Sequence, residues 1–345
     1  MSETTPNSSL PSISVVVIGR NEGERLRACL DSVLAMNYPG DLLDVIYVDS
    51  SSTDGSVALA EGMGVRTILL EGPTTAARGR NAGWTATDAP FILFLDGDTL
   101  LHREFVATAL PRLADESIAG VYGDRREMRT ADSIFNAIFD MDWNAASSSG
   151  SSWSIFFGGD ALVRRAALES VGGYNESLIA GEEPDLCRRM RGLGYRILHL
   201  DVPMTLHDLA MYTIKQYWRR SVRTGYAYAE ISSMYAGTND PLWGAESKSN
   251  WTRGIFWTCG PAFALLLSLL MWSLLPIFLF LLVALALFAR TAMKVRSRTE
   301  SVKLLAAYSV HSHLQQIPIF FGQLRYRRQR KSGGKAAIIE YKSIP

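Results

Sequence analysis

From Ser12 to Leu95 the chain alternates between two hydrophobic rhythms. A β-branched run, Ser12 to Ile18, is followed by Glu22 to Met36, where Leu26, Leu30, Val33 and Leu34 recur at helical spacing. Leu42 to Val48 predicts a second strand ending at Asp49, Thr53 to Met63 a helix and Arg66 to Leu70 a short strand. Thr75 to Thr87 then predicts a helix, and Phe91 to Leu95 a buried strand. Strand and helix in turn predict a Rossmann-like, mostly parallel α/β sheet with helices on both faces. Ligands of such sheets bind beyond the carboxyl ends of the strands, where Gly19 to Glu22, Asp49 to Ser52 and Asp96 to Asp98 converge. The section from Arg103 to Leu200 is more mixed. It predicts a helix after Asp98, a short strand near Ile118 to Tyr122, and helices near Ser133 to Trp143 and Pro184 to Leu193, closing the rim from one side.

Beyond residue 208 the pattern changes. Met211 to Tyr235 is aromatic and basic together, as suits a helix at a membrane surface or docked on a domain. Ile255 to Ala289 carries no charged residue, and it is longer than the roughly 20 apolar residues of one span and slightly short for two. Ser273 to Pro276 lies near its middle, so the run predicts a tight transmembrane helical hairpin. Arg253 precedes it, and Arg290, Lys294, Arg296 and Arg298 follow. Positive flanks mark the cytoplasmic side, and two spans return the chain to the side it left. Leu304 to Phe321 is moderately apolar, is interrupted at Pro318 and precedes the cluster Arg325, Arg327, Arg328, Arg330 and Lys331. It predicts an interfacial helix whose arginines meet anionic headgroups.

These breaks divide the chain into a polar tail (1–11) expected to be disordered, an α/β domain (12–208) and an amphipathic helical linker (209–254). A hairpin (255–290) and a basic interfacial helix with a cytoplasmic tail (291–345) complete it. The expected placement is multi-pass in the cytoplasmic (inner) membrane, with the α/β domain on the cytoplasmic side. Residues 1–11 lack the basic and apolar regions of a signal peptide. Over all 345 residues the formal charge is +1, which gives no basis for nucleic acid binding. Cys29, Cys187 and Cys259 follow no metal-ligand spacing, which fits reduced thiols.

Asp96-Gly97-Asp98 presents two carboxylates where a buried strand emerges. Aspartate is a poor strand former, and the pair repels unless a cation or hydrogen-bond donors neutralise it. Hard oxygen ligands favour Mg²⁺ or Mn²⁺, ions that keep positions open for phosphate oxygens. A plain turn after a strand explains the same three residues.

Five segments occur in one order: Ile13-Ser-Val-Val-Val-Ile-Gly-Arg-Asn-Glu22, Val48-Asp-Ser-Ser-Ser-Thr-Asp-Gly55, Arg80-Asn-Ala-Gly83, Asp96-Gly-Asp98, and Gly172-Gly-Tyr-Asn-Glu176 leading to Gly181-Glu-Glu-Pro-Asp-Leu186. Together, over roughly Ser12 to Asp208, they resemble the membrane-anchored bacterial type of family 2 glycosyltransferase. The resemblance implies a GT-A fold, a nucleotide-sugar donor, a divalent metal (Mn²⁺ or Mg²⁺) and inverting transfer.

Carried over residue by residue, Arg20, Asn21, Glu22, Asp49 and Ser50 resemble the part that holds base and ribose. Ser50-Ser51 stands where many relatives have Asp-Gly, leaving uridine, guanosine and thymidine donors open. Arg78 and Arg80 flank the position that reaches toward nucleotide or diphosphate. Asp98 resembles the direct metal ligand, Asp96 a metal or ribose ligand, and His207 a further ligand. Glu183 aligns with the catalytic base, which takes the acceptor hydroxyl's proton as it attacks opposite the leaving group. This chain has Glu182-Glu183 for the family's Glu-Asp, so Glu182 and Asp185 remain alternatives. The acidic run also fits an ordinary helix N-terminus. Gly158, Gly159 and Asp160 resemble the small-residue strip beside the acceptor. Gln216, Arg219 and Arg220 partly match the Gln-x-x-Arg-Trp motif of membrane polysaccharide synthases, with Arg220 in place of the final Trp.

The resemblance implies transfer to a hydroxyl of a lipid-linked acceptor, a polyprenyl-diphosphate saccharide, in surface-polysaccharide assembly. A second reading is transfer to polyprenyl phosphate itself, as in relatives of dolichol-phosphate mannose synthase, where the ionised acceptor needs no base. A third is a non-catalytic membrane scaffold. Processive export would need a homo-oligomer, because two spans cannot enclose a polymer channel.

Overall fold

The computed structural model describes residues 10–72, 74–144 and 150–333, so the tail expected over 1–11 and the end of the basic tail lie largely outside the described residues. The chain divides into two compact units, one comprising 1–126, 146–176 and 182–208, the other 127–145, 177–181 and 209–345.

The first unit is built on one sheet. Its strands are β1 (Ile13–Gly19), β2 (Leu43–Asp49), β3 (Arg66–Leu69), β4 (Phe91–Asp96), β5 (Thr99–Leu101), β6 (Ile118–Glu127), β7 (Ser152–Ser154), β8 (Ala161–Arg164) and β9 (Arg196–His207). The order is β3-β2-β1-β4-β8-β6-β9-β5, with β7 beside β9. The strand-helix alternation accounts for the parallel half, β3-β2-β1-β4. The other strands join antiparallel, giving a mixed sheet.

Successive side chains of a strand face opposite ways, and the buried strands show it. Val15, Val17, Leu93 and Leu95 enter one core with Leu26 and Leu30 of α1 (Glu24–Leu34). Val16, Ile18, Ile92 and Phe94 enter the other with Trp84 of α3 (Ala76–Thr85) and Leu186 of α7 (Glu182–Gly192). Gly83 lets α3 lie close on the sheet, since a Cβ there would stand 2.2 Å from Val16 Cγ1. That approach carries Arg80, one turn earlier on α3, to the carboxyl end of β4.

The second unit is helical: α5 (Ile134–Trp143), α8 (Ile214–Met234), α9 (Gly244–Leu270), α10 (Leu275–Val295), α11 (Val302–Leu314) and α12 (Gln316–Ser332), with α2 (Ser56–Gly62), α4 (Phe105–Ala109) and α6 (Arg165–Val171) belonging to the first. α9 and α10 are long and apolar enough to cross a membrane by length and composition, and only 6% of the most apolar window of α10 is buried inside the protein, unlike a core helix. Leu269, Leu270, Phe278, Leu281 and Leu285 all point out of the fold. The connecting turn, Met271 to Leu274, falls two residues before the expected Ser273 to Pro276, because Pro276 is tolerated in the first turn of α10. The run looked short for two spans because α9 begins at Gly244, in polar sequence that the apolar count leaves out. The interfacial segment is two helices broken at Gln315, and Pro318 lies in the first turn of α12. α12 is packed on α8 backbone to backbone: a Cβ on Gly225 would stand 2.0 Å from the Ile319 carbonyl, and one on Gly322 2.1 Å from that of Val222.

Candidate active site

The Asp96-Gly97-Asp98 turn joins β4 to β5 at the end of the parallel half. Gly97 N donates to the Ile18 carbonyl at 2.8 Å, tying the turn to β1, and Thr99 Oγ1 donates to the Asp96 carbonyl at 2.7 Å. Thr99 pairs with His207 across β5 and β9, and Asp208 N donates to the Asp98 carbonyl at 2.9 Å. The ladder therefore sets His207 beside Asp98, with Nε2 3.5 Å from Oδ2. One ligand atom from each of Asp96, Asp98 and His207 lies within 4.8 Å of the others. Two hard carboxylates and an imidazole suit a divalent cation that keeps open positions, so the donor set fits the expected Mn²⁺ or Mg²⁺.

Arg80 is the centre of a buried charge cluster. It is 2% exposed, with Nη2 3.0 Å from Asp96 Oδ1 and Nη1 3.1 Å from both Glu182 Oε1 and Glu183 Oε1. Its guanidinium also lies over the Tyr174 ring. Arg80, expected to flank the position that reaches toward nucleotide or diphosphate, is turned toward these carboxylates. A fully buried guanidinium must be matched by buried carboxylates, and these three hold it. Glu183 has its pKa pushed up to about 7, first by burial and then by the neighbouring Glu182, against the pull of Arg80. A carboxylate poised there suits a general base. Asp185, the third acidic candidate, is 1% exposed and bound by Arg189 Nε and Nη2 at 2.9 Å, so it braces α7.

Asp160, expected beside the acceptor, is 4% exposed and fully engaged. It accepts from Asp96 N at 3.3 Å, from Thr205 Oγ1 at 2.8 Å and from Arg125 Nη2 at 2.6 Å. A buried carboxylate needs such partners, and the result is a brace for the Asp96 turn. Gly159 likewise makes room within the protein: a Cβ there would stand 2.7 Å from Asp96 Oδ2 and 2.9 Å from Arg80 Nη2. Gly158 faces open space.

At the rim, Asn21 has φ +55° and ties two loops together, its N–H donating to Ser52 Oγ at 2.9 Å and its Oδ1 accepting from Thr53 N at 2.7 Å. Asp49 is buried, accepting from Tyr47 Oη at 2.8 Å and Ser52 N at 2.7 Å. Glu22 is paired with Arg25 at 2.8 Å, and Ser50 N donates to the Gly19 carbonyl. Arg20 is exposed beside them, while Arg78 donates to the Glu71 carbonyl at 3.2 Å. In the second unit, Gln216 closes the capping box of α8 with Thr213, and Arg220 lies 4.8 Å over the Phe139 ring. Arg219 is exposed on the same helix.

Sequence reasoning missed Arg125, whose place near Asp96 depends on β6 entering the sheet antiparallel. It also left Asn81 without a role. Asn81 Nδ2 donates to the Tyr174 carbonyl and Glu176 Oε1, both at 2.9 Å, and Oδ1 accepts from Tyr174 N, pinning the segment that leads to Glu182.

Residues 14–172 match the profile described as Glycosyl transferase family 2. Among curated proteins, the chain is 25% identical over 233 residues to "Probable glycosyltransferase YdaM" of Bacillus subtilis, covering 62% of this chain and 54% of that protein. It is 25% identical over 199 residues to "Glycosyltransferase AglE" of Haloferax volcanii, covering 55% and 64%. The chain thus spans between about half and two thirds of these relatives. Among solved structures, a mannosyltransferase, PcManGT, from Pyrobaculum calidifontis in complex with GDP-Man and Mn²⁺ superposes with a TM-score of 0.53 at 19% identity, over 93% of this chain and 88% of that one. S. aureus TarS 1-349 in complex with UDP-GlcNAc superposes with a TM-score of 0.53 at 14% identity, over 92% of both chains. At these identities the likeness establishes the fold.

Proposed function

We propose that this chain, whose residues 14–172 form a glycosyl transferase family 2 domain on a GT-A sheet, moves a sugar with inversion from a nucleotide-sugar donor to a hydroxyl of a lipid-linked acceptor. The observation that carries the reading is that one guanidinium, Arg80, joins a candidate cation ligand, Asp96, to the candidate base, Glu183. A single rigid group thereby spaces the leaving-group side of the reaction from the attacking side.

Asp96, Asp98 and His207 would hold a divalent cation, which supplies charge neutralisation for the departing nucleoside diphosphate. Glu183 accepts the proton of the acceptor hydroxyl at a carboxylate oxygen, and its raised affinity for a proton suits the transfer near neutral pH. Arg80 keeps Glu182 and Glu183 together despite their repulsion. Arg125 and Asp160 fix the backbone of Asp96. The loops around Asn21 and Asp49 would meet the base and ribose. Support for a nucleotide-sugar donor comes from the family and from the donor complexes of both structural relatives. Support for a membrane-borne acceptor comes from α9 and α10 with their basic flanks, which would keep the catalytic domain on the cytoplasmic face.

The test is a thermal-shift panel of nucleotide sugars on the purified full chain in detergent, with and without Mn²⁺, since only a bound ligand stabilises. One donor should raise Tm in a Mn²⁺-dependent way and be turned over when a lipid extract is added. No shift with any donor, or hydrolysis indifferent to Mn²⁺, overturns the reading.

A further inference from the structure

The second unit contains a basic groove lined by none of the candidate active-site residues. It encloses about 930 Å³ between α8, α9 and α12, more room than a lone phosphate needs and within the range of small-ligand sites. Arg327, Arg328, Arg330 and Lys331 line it from α12, Ser232 and Ser233 from α8 and Trp251 from α9, and among the described residues that line it none is a carboxylate. Four cations within five successive positions of α12, all of them exposed, make the groove attractive to an anion.

Two of the cations are held in place. The Arg327 guanidinium stacks 3.5 Å from the centre of the Trp251 ring, which uses its face and leaves its N–H donors, lying in the guanidinium plane, for an acceptor. Arg330 Nη1 donates to Ser233 Oγ. Trp251 also fixes the depth. It precedes the uncharged stretch that begins at Ile255 by one turn of α9, about 6 Å, and tryptophan favours the headgroup level. With α9 and α10 spanning a bilayer, the reading proposed above on which this inference rests, a groove of cations and hydroxyls at that level would meet lipid headgroups.

We propose that the groove between α8, α9 and α12 binds the phosphate headgroup of an anionic bilayer lipid. Arg327 and Arg330 grip the phosphate, Arg328 and Lys331 add charge, and the serine hydroxyls reach the glycerol or other headgroup oxygens. The site is independent of donor and acceptor, so its test needs neither.

The full chain, delipidated in a non-ionic detergent, is offered equal amounts of phosphatidylglycerol and phosphatidylcholine, and retained lipid is counted by native mass spectrometry. Phosphatidylglycerol should be retained preferentially, and Arg328→Gln with Lys331→Gln should weaken its retention by roughly fivefold for each cation removed. That double variant leaves the Arg327 stack and the Arg330 bond intact, and circular dichroism checks its helices. Arg327→Lys, which keeps charge but loses the planar fork, is the second variant and should weaken retention with unchanged helicity. Equal retention of the two lipids, or unaltered retention in the double variant, overturns the proposal. So does displacement by millimolar inorganic phosphate, which makes this a free-anion site, or binding of a prenyl phosphate with exclusion of phosphatidylglycerol, which makes it an acceptor site.

Discussion

His207 Nε2 stands 3.5 Å from Asp98 Oδ2 because Thr99 and His207 are register partners in β5 and β9. The pairing places an imidazole from the end of the domain against a carboxylate from its middle, which no local sequence signal would place there. If the three side chains hold a cation, Asp98→Ala should lower turnover by roughly 10²- to 10³-fold. His207→Ala should leave a functional enzyme that needs roughly 10- to 100-fold more Mn²⁺. Donor turnover measured across a Mn²⁺ titration separates the two, and full activity in excess chelator sinks the metal role.

Glu183→Gln removes the proton acceptor while keeping the shape of the side chain. Turnover should fall roughly 10²- to 10⁴-fold with donor affinity unchanged, as single-turnover kinetics and donor titration would report. Retained turnover would transfer the function to an acceptor that is already ionised, a polyprenyl phosphate.

The elevated pKa of Glu183, about 7, predicts an acid limb in the rate profile near neutrality. Glu182→Gln removes a neighbouring negative charge and frees Arg80 for Glu183, both of which lower that pKa, so the limb moves to lower pH. The same shift bears on stability. The folded state holds the Glu183 proton more tightly than the unfolded chain, whose value is near 4.5, so this stabilisation is present below 4.5 and lost as pH rises through about 7. Glu183→Gln should flatten the fall in Tm over that window, and an unchanged slope would assign it to another group.

Gly159→Ala tests how tightly the Arg80 and Asp96 pair is enclosed. Its Cβ would come within 2.7 Å of Asp96 Oδ2 and 2.9 Å of Arg80 Nη2, two groups held by further partners, so neither can yield cheaply. Overpacking of this kind costs about 1–3 kcal/mol. A fall in Tm together with reduced turnover is expected, whereas Gly158→Ala, which meets open space, should leave Tm unchanged.

These sites differ in how far the chain announces them. Val15, Val16, Val17 and Ile18 alternate between two cores, so β1 reads as one unbroken apolar run, and such runs set between segments of helical spacing made the parallel strands and the rim they share legible. In the antiparallel half only β6 was legible, as the strand near Ile118 to Tyr122; β5, β7 and β8 are three or four residues long, too short to show a period, and β9 buries its side chains with no strict alternation. Asp96, Asp98 and Glu183 stand in segments that carry a motif, which is why sequence alone singles them out. Arg80 sits in a motif too, but its burial was not legible, because it depends on Gly83 and Gly159, which let α3 and the 158–160 strip approach closely. The partners of Asp160 were hidden for a similar reason, since nothing local reveals that Arg125 and Thr205 converge on it.

The helical unit offers a last test, in which two glycines that look unremarkable in sequence decide whether α12 can dock. Gly225 and Gly322 face one another, and in each case the atom that an added methyl would strike is a backbone carbonyl, at 2.0 Å and 2.1 Å. A carbonyl in a helix cannot turn aside as a side chain can, so Gly322→Ala must push α12 off α8. Separation would also loosen the buried Gln323, whose Nε2 donates to the Ser247 carbonyl at 3.0 Å, leaving polar groups short of partners. Helix propensity favours alanine over glycine by about 0.5–1 kcal/mol, so a net loss of Tm would have to come from the clash. Gly62→Ala in α2, where nothing lies within 4 Å, isolates the propensity term and should raise Tm slightly. If Gly322→Ala is as stable as Gly62→Ala, α8 and α12 do not cross backbone to backbone, and the walls of the basic groove are not where they are drawn.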